Sequence, residues 1–411
     1  MSASHTTVLS LAPDVVLRFP SAGEILIERG LQRVVVGGHG VAIVDAFRAP
    51  SMVGEVIDRL STRAAGMRDF LEIVATVNEL AHVGILVESS AIPAVLNPDA
   101  TRFDAAHIHL EMLNDRVRTE KYLRAIRETV RPGDVVLDIG TGSGVLAVAA
   151  AKAGASRVFA IELSGIAAGA ERVFEANGVA ERVSLLRGES TALELPVRAD
   201  VLVAELIGID PLGESILETT RDAVARLLVP GARLIPASIE VFAIPVTLPE
   251  AVTKRWQFTQ SSVTQWREWY DIDFSPLIAL SAQSVVATSA SPRQLSAWEP
   301  LAAPISCFVQ ELSAIDRTTV EVLRPVTVTR AGRIDAVALY FTVQLSEGIA
   351  LSTDPTEPRD DNHWRHRVWL LPAPMEVRAG DALELAFRHR ASGAPVELRR
   401  AGEHRVEDAN T

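Results

Sequence analysis

One stretch of the sequence combines a short apolar run, closely spaced glycines and an alanine-rich run, and it limits the fold more than any other feature. Val135–Ile139 reads Val-Val-Leu-Asp-Ile, which predicts a buried parallel strand. Glycines follow at every second position from Gly140 to Gly144, and the run Val145–Lys152 predicts a helix that Gly154 ends. A glycine turn between strand and helix lets a ligand approach the backbone and directs free N–H groups at it. The stretch therefore predicts an α/β fold that binds a nucleotide at the carboxyl edge of its sheet.

The residues around the glycine turn favour one kind of nucleotide. The spacing Asp-x-Gly-x-Gly-x-Gly places the Asp138 carboxylate where it would repel a pyrophosphate and attract a sulfonium. About twenty residues later, the strand Arg157–Ile161 leads to Glu162, where a carboxylate can accept from a ribose diol. The pattern resembles the nucleotide loop of class I S-adenosylmethionine (SAM) methyltransferases, and the resemblance implies SAM as the cofactor. An NAD-type site is the alternative.

Composition limits the partners and the location of the protein. The 411 residues carry a net charge of −12 and give a pI near 5.3, which argues against nucleic acid and suits a cationic substrate. The sequence has a single cysteine, Cys307, which excludes a disulfide framework and a cysteine-rich zinc site. We expect Cys307 to be a buried core residue. The sequence has no apolar run of about 18 residues and no signal peptide, so we expect no membrane contact and a cytoplasmic location.

Residues 1–90 predict a small separate domain of strands followed by helices. The predicted strands are Asp14–Phe19, Glu24–Glu28, Leu31–Val36 and Val41–Val44. Two helices are predicted from apolar residues at helical spacing, which are Val53, Val56, Ile57 and Leu60, and then Phe70, Ile73, Val74, Val77 and Leu80. A helix stop and a short strand follow over Val83–Val87, and the proline-containing run Ala91–Thr101 predicts a linker.

This order of elements resembles the winged-helix peptide-binding domain of pyrroloquinoline quinone biosynthesis. Its relatives recognise the precursors of ribosomally made, modified peptides (RiPPs). The resemblance implies a peptide recognition element in which a leader peptide pairs as an extra strand beside a β-hairpin. The alternative is an N-terminal cap that only packs on the enzyme.

Two further domains are predicted after the linker. Strands and helices alternate over residues 103–236, which predicts a Rossmann-like parallel sheet with helices on both faces. The strand patterns there include Val183–Leu186 and Val201–Ala204, and a helix is predicted over Ala167–Ala176. Residues 237–411 are predicted to form an all-β, barrel-like domain, in which the strand patterns are Glu240–Val246, Thr319–Leu323, Ala336–Val343 and Ala382–Phe387.

Two glutamates follow the strand Val201–Ala204. Glu205 and Glu214 are nine positions apart, and the glycines and proline between them allow a hairpin-like loop. Acids at the carboxyl edge of a parallel sheet face the ligand, and a pair of them can hold a guanidinium, whose planar fork matches carboxylates. Two neighbouring carboxylates also raise one another's pKa, which would make one of them a proton acceptor. The alternative is a pair of solvated loop residues.

From Phe103 to the C-terminus, the sequence resembles the protein arginine methyltransferases. The resemblance is carried by motifs in the same order as in that family, which are His109–Thr119, the glycine loop, Glu162, the Glu205/Glu214 loop, Trp269–Ser275, and Leu351–Pro355 leading to Asn362-His363-Trp364. It implies a SAM-dependent N-methyltransferase that acts on arginine in a peptide or protein. It also implies a homodimer, with Trp256, Trp266 and Trp269 in a dimerisation arm; a hydrophobic flap is the other reading of these tryptophans.

The resemblance also implies a role for each matching residue. The cofactor-binding residues would be His109, Met112, Arg118, Asp138, Gly140, Gly142 and Glu162, with Glu189 in place of the family's adenine-facing acid. Glu205 and Glu214 would bind the nitrogen nucleophile. His363 would face Asp115 across the domain boundary, to relay a proton or to fasten the two domains. Trp364 would support the loop that carries His363. No metal is expected, since His107 and His109 have no partner cluster.

The sequence departs from the family pattern around the predicted acceptor site. Arg102–His107 contains one aromatic residue and no tyrosine, and Leu206–Leu212 lacks the tryptophan and tyrosine that usually line the substrate channel. Besides arginine in a peptide, two alternatives therefore stay open. One is a peptide terminal amine or small amine as the acceptor. The other is a catalytically weak protein that uses the SAM fold as a scaffold.

Overall fold

The computed structural model describes residues 7–12, 15–21, 24–29, 32–37, 39–48, 51–61, 66–88, 106–281, 286–391 and 394–402. The chain divides into two compact units, residues 1–105 and residues 106–411. The predicted linker Ala91–Thr101 lies outside the described residues. No helix among the described residues is long and apolar enough to cross a membrane.

The first unit contains two small antiparallel sheets and a set of helices. Its strands are β1 (Val8–Leu11), β2 (Val16–Ser21), β3 (Glu24–Arg29), β4 (Gln32–Val36), β5 (Ser51–Met52) and β6 (Leu86–Glu88). Its helices are α1 (Gly40–Ala46), α2 (Val53–Ser61) and α3 (Met67–His82). The sheet orders are β5-β1-β6 and β2-β3-β4. The apolar faces predicted for α2 and α3 supply much of the buried core of this unit, which confirms those two helices.

One predicted strand of this unit is wrong. Val41–Val44 belongs to α1, because Gly40, Ile43 and Val44 are buried at helical spacing. A Cβ at Gly40 would lie 2.2 Å from Val36 Cγ2, so a glycine is needed where this helix meets β4. An apolar run of four residues is too short for its periodicity to separate strand from helix. The likeness to a peptide-binding winged helix stays a prediction.

The second unit begins with a Rossmann-like α/β portion. Its helices are α4 (Ala106–Asn114), α5 (Arg116–Thr129), α6 (Val145–Lys152), α7 (Ala167–Ala176) and α8 (Ile216–Arg226). Its strands are β7 (Val135–Ile139), β8 (Arg157–Glu162), β9 (Val183–Arg187), β10 (Ala199–Ala204) and β11 (Leu228–Ile235). All of these strands pair in parallel, in the order β11-β10-β7-β8-β9. The sequence-based strands and helices of this portion are confirmed.

The register of this sheet brings the predicted site residues to one edge. Ile139 at the end of β7 pairs with Ile161 of β8 on one side and with Ala204 of β10 on the other. The chain leaves β7 toward β8 and later returns to the other side of β7 through β10, so this edge is the point where strand order reverses. Gly140 and Glu205 therefore emerge there side by side, next to the last residue of β8.

A β-rich portion follows in the same unit. Its strands are β12 (Ser238–Thr247), β13 (Val286–Ala290), β14 (Glu299–Pro300), β15 (Ile305–Glu311), β16 (Val320–Thr327), β17 (Gly332–Ser346), β18 (Ile349–Ser352), β19 (His366–Val377), β20 (Ala382–His389) and β21 (Val396–Arg400). One antiparallel sheet runs β13-β19-β17-β12-β14, with β15 on β12 and β18 on β17, and a second runs β16-β20-β21. Closure of these sheets into a barrel stays a prediction.

The expectation of an all-β second half is wrong for the segment after β12. This segment forms the helices α9 (Glu250–Trp256), α10 (Gln260–Tyr270), α11 (Ile278–Ser281) and α12 (Pro292–Ser296). Its tryptophans are spread through polar sequence, which gives a weak helical period. The α/β and β-rich portions share one hydrophobic core that extends from Tyr122 to Leu398 and includes Cys307, which confirms that the cysteine is buried. The predicted limits at residues 90, 103, 236 and 237 stay predictions.

Candidate functional site

The glycine turn after β7 has a backbone that side chains would obstruct. Gly140 and Gly142 have φ angles of 74° and 54°, in the left-handed region that favours glycine. A Cβ at Gly140 would lie 2.8 Å from Leu206 Cδ2, and a Cβ at Gly142 would lie 3.3 Å from Cε1 of His109. The turn therefore packs closely against Leu206 and against the buried His109 ring of α4, so a side chain at either glycine would press on one of them.

Glu162, the last residue of β8, is held beside the glycine turn. Its Oε2 accepts from the Gly142 N–H at 2.8 Å, and its Oε1 accepts from Ser164 N at 2.8 Å and from Ser164 Oγ at 2.7 Å. The side chain is buried and oriented by these donors. The structure thus brings together the glycine turn and the carboxylate predicted to bind a ribose.

Asp138 lies beneath the turn and has no solvent exposure. Its Oδ2 accepts from Thr141 Oγ1 at 2.6 Å, while its Oδ1 has no hydrogen-bond partner among the described residues. Burial raises the pKa of this carboxyl to about 7, with a smaller contribution from the charge of Glu162. A positive charge bound nearby would favour the ionised form.

Arg118 of α5 and Glu205 form a buried ion pair below the loop that follows β10. Arg118 Nη2 donates to Glu205 Oε2, and Glu205 Oε1 accepts from the backbone N–H of Ile207 at 3.3 Å. Burial disfavours the charge on Arg118, but the Glu205 carboxylate raises the pKa of the guanidinium overall. Arg118 Nε has no hydrogen-bond partner among the described residues, so one buried donor is left for an anionic group.

Asp115 joins the α/β portion to the β-rich portion. Its Oδ2 accepts from His363 N at 3.2 Å and pairs with His363 Nδ1 at 3.0 Å. Its Oδ1 accepts from Arg118 N at 3.1 Å, which caps α5, and from Arg359 Nη1 at 3.3 Å. Burial alone would raise the pKa of Asp115, but these donors and the charge of Arg359 lower it overall. The predicted pairing of His363 with Asp115 is confirmed.

Trp364 connects this pair to the loop of the two glutamates. Its Nε1 donates to the carbonyl oxygen of Ile207 at 2.6 Å, and its ring packs edge-on against Phe341 at 5.1 Å between centroids. The His363 ring lies 4.2 Å from the Trp364 ring, centroid to centroid. Trp364 therefore contacts the loop of the two glutamates through a direct hydrogen bond.

Glu214 folds back over its own loop. A Cβ at Gly208 would lie 2.7 Å from Glu214 Oε1 and 3.2 Å from Glu214 Cδ, so the carboxylate rests against the Gly208 backbone. Glu205 is at one end of this loop and is buried, whereas Glu214 is half-buried at the other end. Two carboxylates on one short loop at the reversal point of the sheet can hold a cation that has several donors.

Two other predicted cofactor residues lie near this edge without a contact that assigns their role. Met112 is half-buried on α4, and its carbonyl oxygen accepts from Thr119 Oγ1 at 3.5 Å. Glu189 is exposed in the turn after β9, next to Gly188, whose N–H donates to the Glu162 carbonyl at 3.0 Å. Their proposed parts in cofactor binding stay predictions.

Two side chains of this site, Tyr122 and Arg359, were not predicted from the sequence. Tyr122 is fully buried below Arg118, with its ring 5.8 Å from the guanidinium carbon, and burial raises the pKa of its hydroxyl well above the usual value. It lies four residues after Arg118 on α5, so helical spacing could have identified it. Arg359 has no such signal, because it lies in an irregular loop. Arg102–Ala105 lie outside the described residues.

These residues fit SAM. The glycine turn takes left-handed backbone conformations beside the Glu162 carboxylate, Arg118 Nε is an unpaired buried donor for a carboxylate, and Asp138 Oδ1 is an unpaired buried acceptor near the same turn. Among the described residues, no group of three or more His, Cys, Asp or Glu side chains could hold a metal ion.

Comparisons with known proteins agree with this geometry. A family model described as ribosomal protein L11 methyltransferase (PrmA) matches residues 117–275, and one described as arginine methyltransferase oligomerization subdomain matches residues 250–399. An arginine N(omega)-methyltransferase of Streptomyces achromogenes subsp. streptozoticus is 32% identical over 306 residues, which cover 72% of this chain and 80% of that protein.

Two further similarities extend across kingdoms. A probable protein arginine N-methyltransferase 6 of Arabidopsis thaliana is 32% identical over 236 residues, covering 54% of this chain and 53% of that protein. The solved Trypanosoma brucei PRMT1 enzyme-prozyme heterotetrameric complex with AdoHcy matches with a TM-score of 0.61 and 23% identity, covering 73% of this chain and 95% of that one. At that identity, the structural match shows a shared fold.

Proposed function

This chain belongs to the protein arginine methyltransferase family and is a SAM-dependent methyltransferase, and we propose that it methylates a guanidinium nitrogen of arginine in a peptide or protein. The observation that carries the proposal is the loop after β10, where Glu205 is buried against Arg118 and Glu214 folds over Gly208. Carboxylates match the planar donors of a guanidinium.

The cofactor would be held by the residues that line the glycine turn. Bound SAM supplies an electrophilic methyl group on a sulfonium. Arg118 would donate from Nε to its carboxylate, Glu162 would accept from the ribose, and Gly140 and Gly142 would allow close approach of the backbone. We also assign His109, Met112, Asp138 and Glu189 to this site.

The acceptor would be held by Glu205 and Glu214. Methyl transfer from a sulfonium is an in-line displacement, so catalysis requires positioning and a suitable field more than covalent chemistry. Carboxylates that localise positive charge on two guanidinium nitrogens leave the lone pair of the third available for attack. His363 and Asp115 would fasten the two portions of the site, because Asp115 also accepts from Arg359 and the His363 backbone.

The proposal is tested by incubating the full chain with methyl-labelled SAM and peptides that differ only by arginine or lysine. We expect label on the arginine peptide alone, located on the guanidinium by fragmentation mass spectrometry. Glu205→Gln and Glu214→Gln should abolish transfer. The matched control is Glu175→Gln, because Glu175 is exposed on α7. Label on the lysine peptide, or undiminished transfer by both active-site variants, would refute the proposal.

A small guanidine is the second candidate acceptor. The name of the Streptomyces relative specifies arginine without specifying a protein, and the loop between the glutamates lacks large aromatic residues. Free arginine in the same assay separates the candidates, since label on free arginine with none on peptides favours the small acceptor. Label on a peptide terminal amine would favour that alternative. The scaffold alternative requires that no methyl group is transferred to any acceptor. Calorimetry tests it further, because no heat of SAM binding would leave only the scaffold.

For the first unit, we propose that it binds a peptide, such as the leader segment of a ribosomally made substrate. Among the described residues, β2 and β4 each pair only with β3, so each presents an edge to which a peptide strand can add. Each edge strand carries an exposed valine, Val16 on β2 and Val35 on β4. The alternative is a cap without a ligand.

Fluorescence anisotropy of labelled leader-like peptides with the full chain tests this role. Val16→Lys and Val35→Lys each place a charge on one edge, which discourages strand addition there. If one edge binds the peptide, one variant should weaken binding while the other serves as its control. Equal binding by parent and both variants would leave the unit as a cap.

We further propose that the chain forms a homodimer through residues 250–281. This segment lies within the match to the oligomerization subdomain and exposes Trp256, Trp269, Tyr270 and Ile272. Sedimentation should show that Trp269→Glu dissociates the dimer, whereas Leu323→Glu, an equally drastic change at an exposed leucine of β16, leaves it intact. A monomeric parent would refute the proposal. The cytoplasmic location stays a prediction.

A further inference from the structure

A strained serine directly follows Glu214. Ser215 has φ 63° and ψ 29°, the left-handed conformation that non-glycine residues rarely adopt. It occupies the position before α8 where a serine usually caps the helix, yet its side chain makes no cap hydrogen bond. Something other than helix capping must hold the backbone at Ser215, and with it the direction in which Glu214 enters the loop.

The side chain that holds Ser215 comes from the other portion of the unit. Arg390 lies just after β20, and its Nη2 donates to Ser215 Oγ at 2.8 Å. Its Nε lies 3.0 Å from Oε1 of Glu218 in the first turn of α8. His389 adds a second nitrogen, Nε2, 3.8 Å from the same Glu218 oxygen. Arg390 thus spans the residue after Glu214 and the start of the following helix.

Arg390 is itself in a left-handed conformation, with φ 52°. Two non-glycine residues in this conformation, far apart in sequence, are therefore joined directly through their side chains. Strain of this kind persists only where the surrounding structure determines it, and it is concentrated at functional sites. The Arg390 side chain is half-exposed, so its ion pair with Glu218 contributes little to stability by itself. Stability alone does not explain the arrangement.

We propose that Arg390 is a positioning residue, which fixes Ser215 in the left-handed conformation and thereby holds the Glu214 carboxylate over Gly208 for the acceptor. The inference rests on the proposed function of Glu214. Without the bond from Arg390, Ser215 relaxes toward an ordinary conformation and the Glu214 backbone rotates. Misplacement of a binding group by about 1 Å can reduce the rate by about 10²-fold.

The test combines Arg390→Ala, Ser215→Gly and the double variant. Arg390→Ala should lower kcat/KM for the arginine peptide by about 10²-fold, with SAM affinity unchanged by calorimetry. Glycine adopts the left-handed conformation without steric cost, so Ser215→Gly in the Arg390→Ala background should recover about tenfold or more. Arg390→Lys keeps a charge for Glu218 but not the guanidinium geometry, and it replaces Arg390→Ala if that variant does not fold.

The matched control is Arg400→Ala, because Arg400 is a half-exposed arginine of the same sheet that pairs with Asp381. Its kcat/KM should equal that of the parent. Loss of activity in Arg390→Ala no greater than in Arg400→Ala would overturn the proposal. A loss that Ser215→Gly does not relieve would also overturn it, because Arg390 would then act elsewhere.

A second readout does not depend on the acceptor. Hydrogen exchange of the amides from Leu212 to Thr220 should accelerate in Arg390→Ala and remain at the parent rate in Arg400→Ala. If the parent methylates no arginine, the proposed function fails, while this measurement still decides whether Arg390 holds the loop. Unchanged exchange in Arg390→Ala would overturn the positioning role even in an active enzyme.

Discussion

Replacing Asp115 with asparagine should destabilise the second unit strongly, because this carboxylate is buried and receives donors from both portions of it. Each oxygen accepts twice, Oδ1 from Arg118 N and Arg359, and Oδ2 from the backbone and ring nitrogens of His363. Asparagine keeps the shape of the Asp115 side chain but has only one oxygen that accepts. Its NH₂ group replaces the second oxygen and would face donors there.

The expected loss of unfolding free energy follows from these contacts. Removing one partner of a buried ion pair while leaving the other charge in place costs about 3–5 kcal/mol. In Asp115→Asn, His363 would lose its anionic partner and Arg359 would keep only Asp361, at 3.4 Å, so a loss of unfolding free energy of this size is expected near pH 7. Asp360→Asn is the matched control from the same loop, because the Asp360 side chain is 77% exposed, and a loss within about 0.5 kcal/mol is expected there.

The loss should also depend on pH in a defined direction. The pKa of Asp115 is lowered in the folded state from the ordinary value of 3.8. A lowered carboxyl pKa stabilises the fold above the unfolded pKa, and this stabilisation is lost as the pH falls through the folded value. The difference in unfolding free energy between parent and Asp115→Asn should therefore shrink as the pH falls below 3.8.

Urea unfolding followed by tryptophan fluorescence measures this loss, since Trp364 lies against His363. The unfolding free energy of parent, Asp115→Asn and Asp360→Asn is compared from pH 7 downward. A loss below about 1 kcal/mol for Asp115→Asn near pH 7, below the range for broken buried pairs, would refute the reasoning. So would a loss equal to that of Asp360→Asn.

Three further predictions concern single positions. Gly142→Ala should weaken SAM binding in calorimetry, because the new Cβ obstructs the turn. Gly178→Ala has a similar φ of 66° but open space around it, so it should leave SAM affinity unchanged, and equal affinities of the two variants would contradict this. Trp364→Phe removes the donor to the Ile207 carbonyl and should lower unfolding free energy by about 1–3 kcal/mol, with slower methylation; parent-like values would contradict it. Burial raises the pKa of Cys307 to about 12, so iodoacetamide should label this cysteine near pH 8 only after the protein unfolds. Rapid labelling of the native protein would contradict this prediction.

The sequence was sufficient to predict the glycine turn and its surroundings, because those residues serve local structure and ligand at the same time. The glycine spacing after a β-branched run predicts both a turn and a nucleotide site. The alternation of strands and helices is enough to predict that the strand ending at Glu162 pairs beside β7. The pairing of His363 with Asp115 joins distant parts of the chain, so it was accessible only through the family resemblance.

Other features depend on tertiary contacts that no local pattern encodes. Val41–Val44 is helical because Gly40 packs on Val36, which a four-residue run does not reveal. Arg390 has no motif around it, and its importance is visible only once its contact with Ser215 is known. The helices α9 and α10 lie in polar sequence with a weak apolar period.

The most direct test of the central claim is the site of methylation on a peptide that contains a single arginine. Fragmentation mass spectrometry should place the methyl group on the guanidinium after incubation of the parent with SAM. Glu205→Gln should transfer none, while calorimetry shows that it still binds SAM. A methyl group on the terminal amine or on any other atom, or full transfer by Glu205→Gln, would contradict the account.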